Sequence, residues 1–181
     1  MIITLIGYRG TGKSRIAPLL AERLNWPWAD ADVELERNSG RSIREIFATD
    51  GEPTFRAMER IQLVELLKSP KLVLAAGGGA ILNPETRADF KAAGPVIWLQ
   101  ADENTIADRI LGDRQNSAHR PNLTPQGGRD EIRAMLAFRQ PLYEETATMT
   151  VRTDQRHPQS VASEIYAALP VQIRTSTGGR S

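Results

Sequence analysis

The chain has 181 residues, 40% of them hydrophobic, which is enough for one complete core and short of what two ordinary domains need. Its 23 Lys and Arg stand against 22 Asp and Glu, a net charge of +1 that provides no global field toward nucleic acid or an anionic membrane. With no cysteine there is no disulfide, thiolate nucleophile or sulfur-built metal site, and the two histidines, His119 and His157, stand too far apart in sequence to suggest a His-based one. Of the basic residues 19 are Arg, whose planar fork grips carboxylates and phosphates with two parallel hydrogen bonds.

Taken in chain order, short apolar runs alternate with helix-patterned segments. Met1-Ile-Ile-Thr-Leu-Ile6 lacks a basic leader and a small-residue cleavage site, and no stretch reaches the roughly 20 apolar residues of a membrane span, so a cytoplasmic protein without membrane contact is expected. Ile2–Ile6 reads as a strand buried on both faces of a parallel sheet, and residues 26–29 as a weaker strand. Ser42 and Glu45 make a capping box. Residues 72–76 read as the next strand, Asn83-Pro84 as a capped helix start, and residues 96–99 and 149–151 as two further strands. Residues 112–128 carry glycines, prolines and polar residues without periodicity and are expected to form a mobile lid. His157-Pro158 opens a last helix that runs to Leu169, and residues 170–181 are expected to be a flexible tail. The order argues for one α/β domain over residues 1–169 with a mainly parallel sheet.

Gly7-Tyr-Arg-Gly-Thr-Gly-Lys-Ser14 fits G-x-x-x-x-G-K-[ST] and lies directly between an apolar strand and an amphipathic helix. Such a loop wraps its backbone N–H groups and a helix N-terminus around a triphosphate. Gly10, Thr11, Gly12, Lys13, Ser14 and Arg15 are therefore expected to bind ATP, with Lys13 on the β- and γ-phosphates and the Ser14 hydroxyl on Mg²⁺. No Asn-Lys-x-Asp string is present to read guanine, which favours adenine. Asp30 and Asp32, two apart in an extended segment, would aim both carboxylates at the sheet edge where open α/β folds bind ligands. Asp30 is the candidate for Mg²⁺ support and Asp32 for an acceptor hydroxyl, with a plain helix cap at Asp32 as the alternative. Gly77, Gly78 and Gly79 are either a structural turn or a place where substrate approaches the main chain.

Together these residues resemble the shikimate kinases. The resemblance covers about residues 1–169 and rests on ordered motifs: Gly7–Ser14, Asp30-Ala-Asp32, Gly40-Arg-Ser-Ile43, Ile46-Phe47, Gly51-Glu52 with Phe55-Arg56, Gly77–Gly79, Arg120-Pro121 and Arg139-Gln-Pro-Leu-Tyr143. It implies a P-loop three-layer α/β/α sandwich of the nucleoside-monophosphate-kinase type, with a five-stranded parallel sheet and a shikimate-binding helical segment near 33–68. It implies transfer of the γ-phosphoryl of ATP to the 3-hydroxyl of shikimate, in a protein expected to be a monomer. By position, Lys13, Asp32 and Arg120 would be catalytic, with Asp32 holding the shikimate hydroxyls and Arg120 closing from the lid onto the phosphates. Ser14 and, through water, Asp30 would support Mg²⁺. Arg56 and Arg139 would clamp the shikimate carboxylate beside Gly77, Gly78 and Gly79, and Phe47, Phe55 and Glu59 would line that pocket. Arg109 and Pro158 would sandwich adenine. The lid looks longer than in compact relatives, which leaves Arg114 and His119 without assigned roles. A related small-metabolite kinase, such as a gluconate kinase, or a silent nucleotide-binding module are the alternatives.

Overall fold

The protein's computed structural model describes residues 1–112 and 128–175. Its elements run β1 (Ile2–Ile6), α1 (Lys13–Leu24), β2 (Trp28–Asp30), α2 (Ala31–Ser39), α3 (Ile43–Leu67), β3 (Leu72–Ala75), a 3-10 turn (Ala80–Leu82), α4 (Pro84–Ala93) and β4 (Val96–Gln100). There follow α5 (Glu103–Gly112), α6 (Gly128–Thr146), β5 (Met149–Arg152), α7 (Pro158–Ala168) and α8 (Val171–Arg174). All five strands are parallel, in the order β2-β3-β1-β4-β5.

Alternation along the strands builds two cores. Ile3 and Leu5, Val73 and Ala75, and Ile97 and Leu99 point to one side, where Ile16, Leu20 and Leu24 of α1 and Val161 and Ile165 of α7 cover them. Ile2 and Ile6, Leu72 and Leu74, and Val96 and Trp98 point to the other, against Leu63, Phe90 and Tyr143 from α3, α4 and α6. Burying one such aliphatic side chain is worth about 2 kcal/mol, so a layer on each face is what holds an all-parallel sheet. A separate small core of Leu35, Ile43, Ile46 and Phe55 joins α2 to α3 beyond the sheet edge. The helical path of α3 is broken at Gly51, whose φ of 79° kinks it ahead of Pro53. Among the described residues no helix is long and apolar enough to cross a membrane.

Three expectations shift. Strand β2 begins at Trp28, not residue 26, because the Trp26 N–H donates to the Ala21 carbonyl at 3.0 Å and closes the end of α1 while its ring joins the core. Asp30 is consequently the last strand residue and Asp32 lies in the first turn of α2, so the two do not share one extended segment. The capping role falls on Asp30, whose carboxylate accepts the Asp32 N–H at 3.0 Å. The tail also starts later than residue 170, since Val171–Arg174 forms a further turn with Ile173 buried in the core. The expected lid falls outside the described residues, and with it Arg114, His119, Arg120 and Pro121.

Candidate active site

The parallel register brings the ends of three strands to one edge: Asp30 and Leu5 both stand beside Ala75. From there the chain leaves β1 into the phosphate loop, β2 into α2 and β3 into the three glycines, the arrangement that places ligands at the carboxyl edge of an open α/β sheet. Gly12 caps α1 with a φ of 96°, and the Thr11 hydroxyl ties the loop back to the Tyr8 carbonyl at 2.8 Å. The ammonium of Lys13, 8% exposed, donates to the carbonyls of Gly7 at 2.7 Å and Tyr8 at 3.0 Å. The Ser14 hydroxyl donates to the Asp30 carboxylate at 2.5 Å.

A cleft of about 2070 Å³, counted out to its open mouth, runs along this loop and takes in Gly10, Thr11, Gly12, Lys13, Ser14, Arg15, Asp30 and Asp32. Arg109 and Pro158 line the same cleft. Arg109 is fixed there by donating to Gly10 O at 3.1 Å and to Thr153 O at 2.7 Å, so one guanidinium spans the phosphate loop and the segment after β5. Pro158 stands at the first turn of α7, behind the His157 cap.

The second cleft, about 520 Å³ by the same measure, is lined by Asp32, Phe47, Phe55, Arg56, Glu59, the three glycines, Arg139, Ile43 and Arg9. The kink in α3 lets the Phe47 and Phe55 rings meet at 4.7 Å between centroids. Arg56 is held between two carboxylates of its own helix, Glu52 at 3.0 Å and Glu59 at 2.8 Å. A Cβ on Gly79 would fall 2.5 Å from the Arg56 guanidinium, and one on Gly77 would fall 2.6 Å from the Glu59 carboxylate and 2.8 Å from that of Asp32. A side chain at either position would push these charged groups aside, so glycine there leaves the guanidinium and the two carboxylates where they stand in the cleft. From α6, Arg139 donates to Gly78 O at 3.2 Å and Tyr143 donates to the same oxygen at 2.7 Å. Arg139 is 5% exposed, yet its Nε has no hydrogen-bond partner among the described residues.

Burial and neighbouring charge compete in the second cleft. Burial raises the Glu59 pKa above the usual 4.5, with the Asp32 charge adding to this and Arg56 and Arg139 opposing it. Burial works against the charge on Arg56, but Glu59 and Glu52 outweigh it and its pKa rises. A carboxyl whose pKa is raised on folding binds its proton more tightly in the folded state, so its contribution to stability is present below 4.5 and lost as pH rises through the elevated value. The melting-temperature difference between wild type and Glu59→Gln should therefore shift in favour of the wild type as pH is lowered from neutral toward 4.5, and then level off. A pH-independent difference in thermal melts would remove Glu59 as the titrating group.

A family model described as shikimate kinase matches residues 9–170. The chain belongs to the shikimate kinase family. The shikimate kinase of Rhodopirellula baltica is 38% identical over 169 residues, 93% of this chain and 90% of that protein. That of Thermobifida fusca is 40% identical over 169 residues, 93% and 95% of the two chains. A solved structure of shikimate kinase from Acinetobacter baumannii in complex with shikimate superposes with a TM-score of 0.85 at 35% identity, covering 91% of this chain and 89% of that one. The five-stranded parallel sheet is the expected fold, and the family makes the chain an ATP-dependent kinase.

Two residues of this shikimate kinase family member stand inside the motifs quoted above with no role of their own assigned to them. Tyr143 was within their reach: four residues after Arg139 on a helix, it shares that arginine's face. Arg9 occupies a variable position of the phosphate loop and lines both clefts, as does Asp32. Nothing local marks it, because its partner Glu131 lies 122 positions away.

Proposed function

We propose that the chain transfers the γ-phosphoryl of ATP to the 3-hydroxyl of shikimate, giving 3-phosphoshikimate and ADP. The observation that carries this is the meeting of the two clefts: a phosphate loop opens on one side of Asp32 and, on the other, a small pocket offers the guanidiniums of Arg9, Arg56 and Arg139, the Glu59 carboxylate and bare glycine backbone. Shikimate is a polyol acid, and it needs a cationic fork for its carboxylate and an acceptor for its hydroxyls. In this reading Arg56 and Arg139 take the carboxylate, the Gly77–Gly79 backbone and Glu59 shape the floor, and Phe47 and Phe55 form the wall.

Phosphoryl transfer runs through a loose transition state, so positioning and charge neutralisation dominate. Asp32 holds the acceptor hydroxyl toward the phosphate loop and takes its hydrogen bond. Lys13 and the loop N–H groups bind the phosphates, Arg15 lies along them, and Arg109 and Pro158 pack on adenine. Arg120, from the lid, closes on the phosphates and excludes water.

Ser14 and Asp30 fit a hard cation, since both offer oxygen and they already lie within bonding distance of each other at the loop. Mg²⁺ would arrive on the nucleotide, whose phosphates complete the set of oxygens that Ser14 and Asp30 begin. When bound, Mg²⁺ neutralises phosphate charge. ATP and a metabolite acid as substrates fit a cytoplasmic monomer built as one domain that runs on through the turn at Val171–Arg174.

ADP release with ATP and Mg²⁺ should rise only when shikimate is added, and gluconate should leave it at the ATP-only background. No stimulation by shikimate rejects the assignment, and stimulation by gluconate in its place would redirect it to another polyol acid.

A further inference from the structure

Arg9 sits where the transferred group must pass. Phosphoryl moves from the nucleotide cleft to the acceptor cleft, and Arg9 and Asp32 are the residues that line both. Asp32 brings the carboxylate of that crossing, and Arg9 brings a guanidinium.

The guanidinium is held in place by its surroundings. Its Nη2 donates to the Glu131 carboxylate at 2.8 Å, and that carboxylate is fully buried while the Arg9 side chain is 16% exposed. Beside it the buried Tyr8 ring carries Arg9 on one contact at 5.8 Å and Arg139 on another at 5.5 Å. Cations near a ring face are drawn to its quadrupole, so Tyr8 and Glu131 together fix the Arg9 head. A buried ion pair gives little net stability compared with apolar residues of the same size. Stability therefore does not account for placing a buried glutamate against the phosphate loop, whereas orienting a cation at the crossing does.

We infer that Arg9 is a catalytic residue of this chain, its guanidinium contacting the phosphoryl group in flight, and that Glu131 is the residue that positions it. The inference rests on the shikimate kinase reading above. As the bond from the γ-phosphorus to the β,γ-bridging oxygen breaks, its electron pair stays on ADP. The acceptor oxygen supplies the pair for the new P–O bond, and its proton leaves through the Asp32 carboxylate. Negative charge spread over the equatorial oxygens is then met by a cation already in place, which costs no reorganisation.

The test compares the purified full chain with Arg9→Met and Arg9→Lys, measuring turnover and, by calorimetry with ADP present, affinity for shikimate and for 3-phosphoshikimate. Arg9→Met should lower kcat by about 100-fold and weaken 3-phosphoshikimate at least about tenfold, with shikimate and ADP affinities changed by less than about twofold. Arg9→Lys keeps the charge and the pair to Glu131, but one ammonium cannot serve the carboxylate and the phosphoryl group together, so its product affinity should fall to an intermediate value. Glu131→Gln should show the same selective loss of product affinity in weaker form. Equal losses for shikimate and product, or unchanged product affinity, overturn the inference. If Arg9→Met no longer binds ADP, Arg9→Lys decides, and wild-type product affinity there overturns it as well. A wild-type chain that binds neither shikimate nor its phosphate would instead bring down the substrate assignment, and this inference with it.

Discussion

Lys13→Ala is expected to slow phosphoryl transfer by at least about 100-fold, the scale seen when one preorganised donor to a developing anion is removed. The Lys13 ammonium is buried and already bonded to the carbonyls of Gly7 and Tyr8 at the mouth of the loop. It is therefore pre-placed beside the phosphate cradle, at the N-terminus of α1 where backbone N–H groups also face the ligand. Removing it takes away a charge that the nucleotide phosphates need and leaves the loop's shape to its glycines and Thr11. Shikimate affinity should remain close to wild type, since Lys13 lines the nucleotide cleft and not the acceptor cleft. Stopped-flow turnover together with ADP and shikimate calorimetry separates these effects. Normal kinetics in the variant would undercut the cradle assignment as a whole.

The contrast between Lys13 and Arg9 shows what the sequence could carry. The phosphate loop is legible because its chemistry is local: glycines, lysine and serine at fixed spacing, between a strand and a helix. The motif leaves position 9 open, so an arginine there says nothing until folding brings Glu131 from α6 against it. The acceptor cleft is intermediate. Arg56, Gly77–Gly79 and Arg139 come from α3, the end of β3 and α6, and no periodicity joins such distant segments; only the ordered family motifs did.

Boundary placement decided the remaining difference. Moving β2 by two residues turned the Asp30–Asp32 pair from neighbours on one strand face into a cap and a first-turn residue. That split gives each carboxylate its own surroundings, with Asp30 on Ser14 and Asp32 at the junction of the clefts. The cause is the turn after α1, where Asn25 takes a left-handed conformation with φ of 52° and Trp26 satisfies the helix end, and such a competition between helix closure and strand pairing is invisible to apolar patterning.

Arg139→Lys is expected to raise the dissociation constant for shikimate about 30-fold while leaving ADP binding and the melting temperature nearly unchanged. An unmet donor is the physical reason. Arg139 is buried, with Nη1 on Gly78 O at 3.2 Å and its guanidinium 5.5 Å from the Tyr8 ring centroid, while Nε has no partner among the described residues. A buried donor left unsatisfied costs about 1–3 kcal/mol, and a carboxylate entering the cleft relieves that cost as it binds. Lysine retains the positive charge but has no Nε at that point and no planar fork to match two carboxylate oxygens. Losing about 2 kcal/mol of this relief corresponds to the 30-fold change. Calorimetry with shikimate and with an analogue whose carboxylate is replaced by a neutral amide isolates the contribution: the variant should discriminate poorly between the two, and the wild type strongly. Equal shikimate affinity in wild type and Arg139→Lys would exclude Arg139 from the carboxylate clamp and leave Arg56, already shared between Glu52 and Glu59, and Arg9, paired with Glu131, as the cations of the cleft to which the acid could bind.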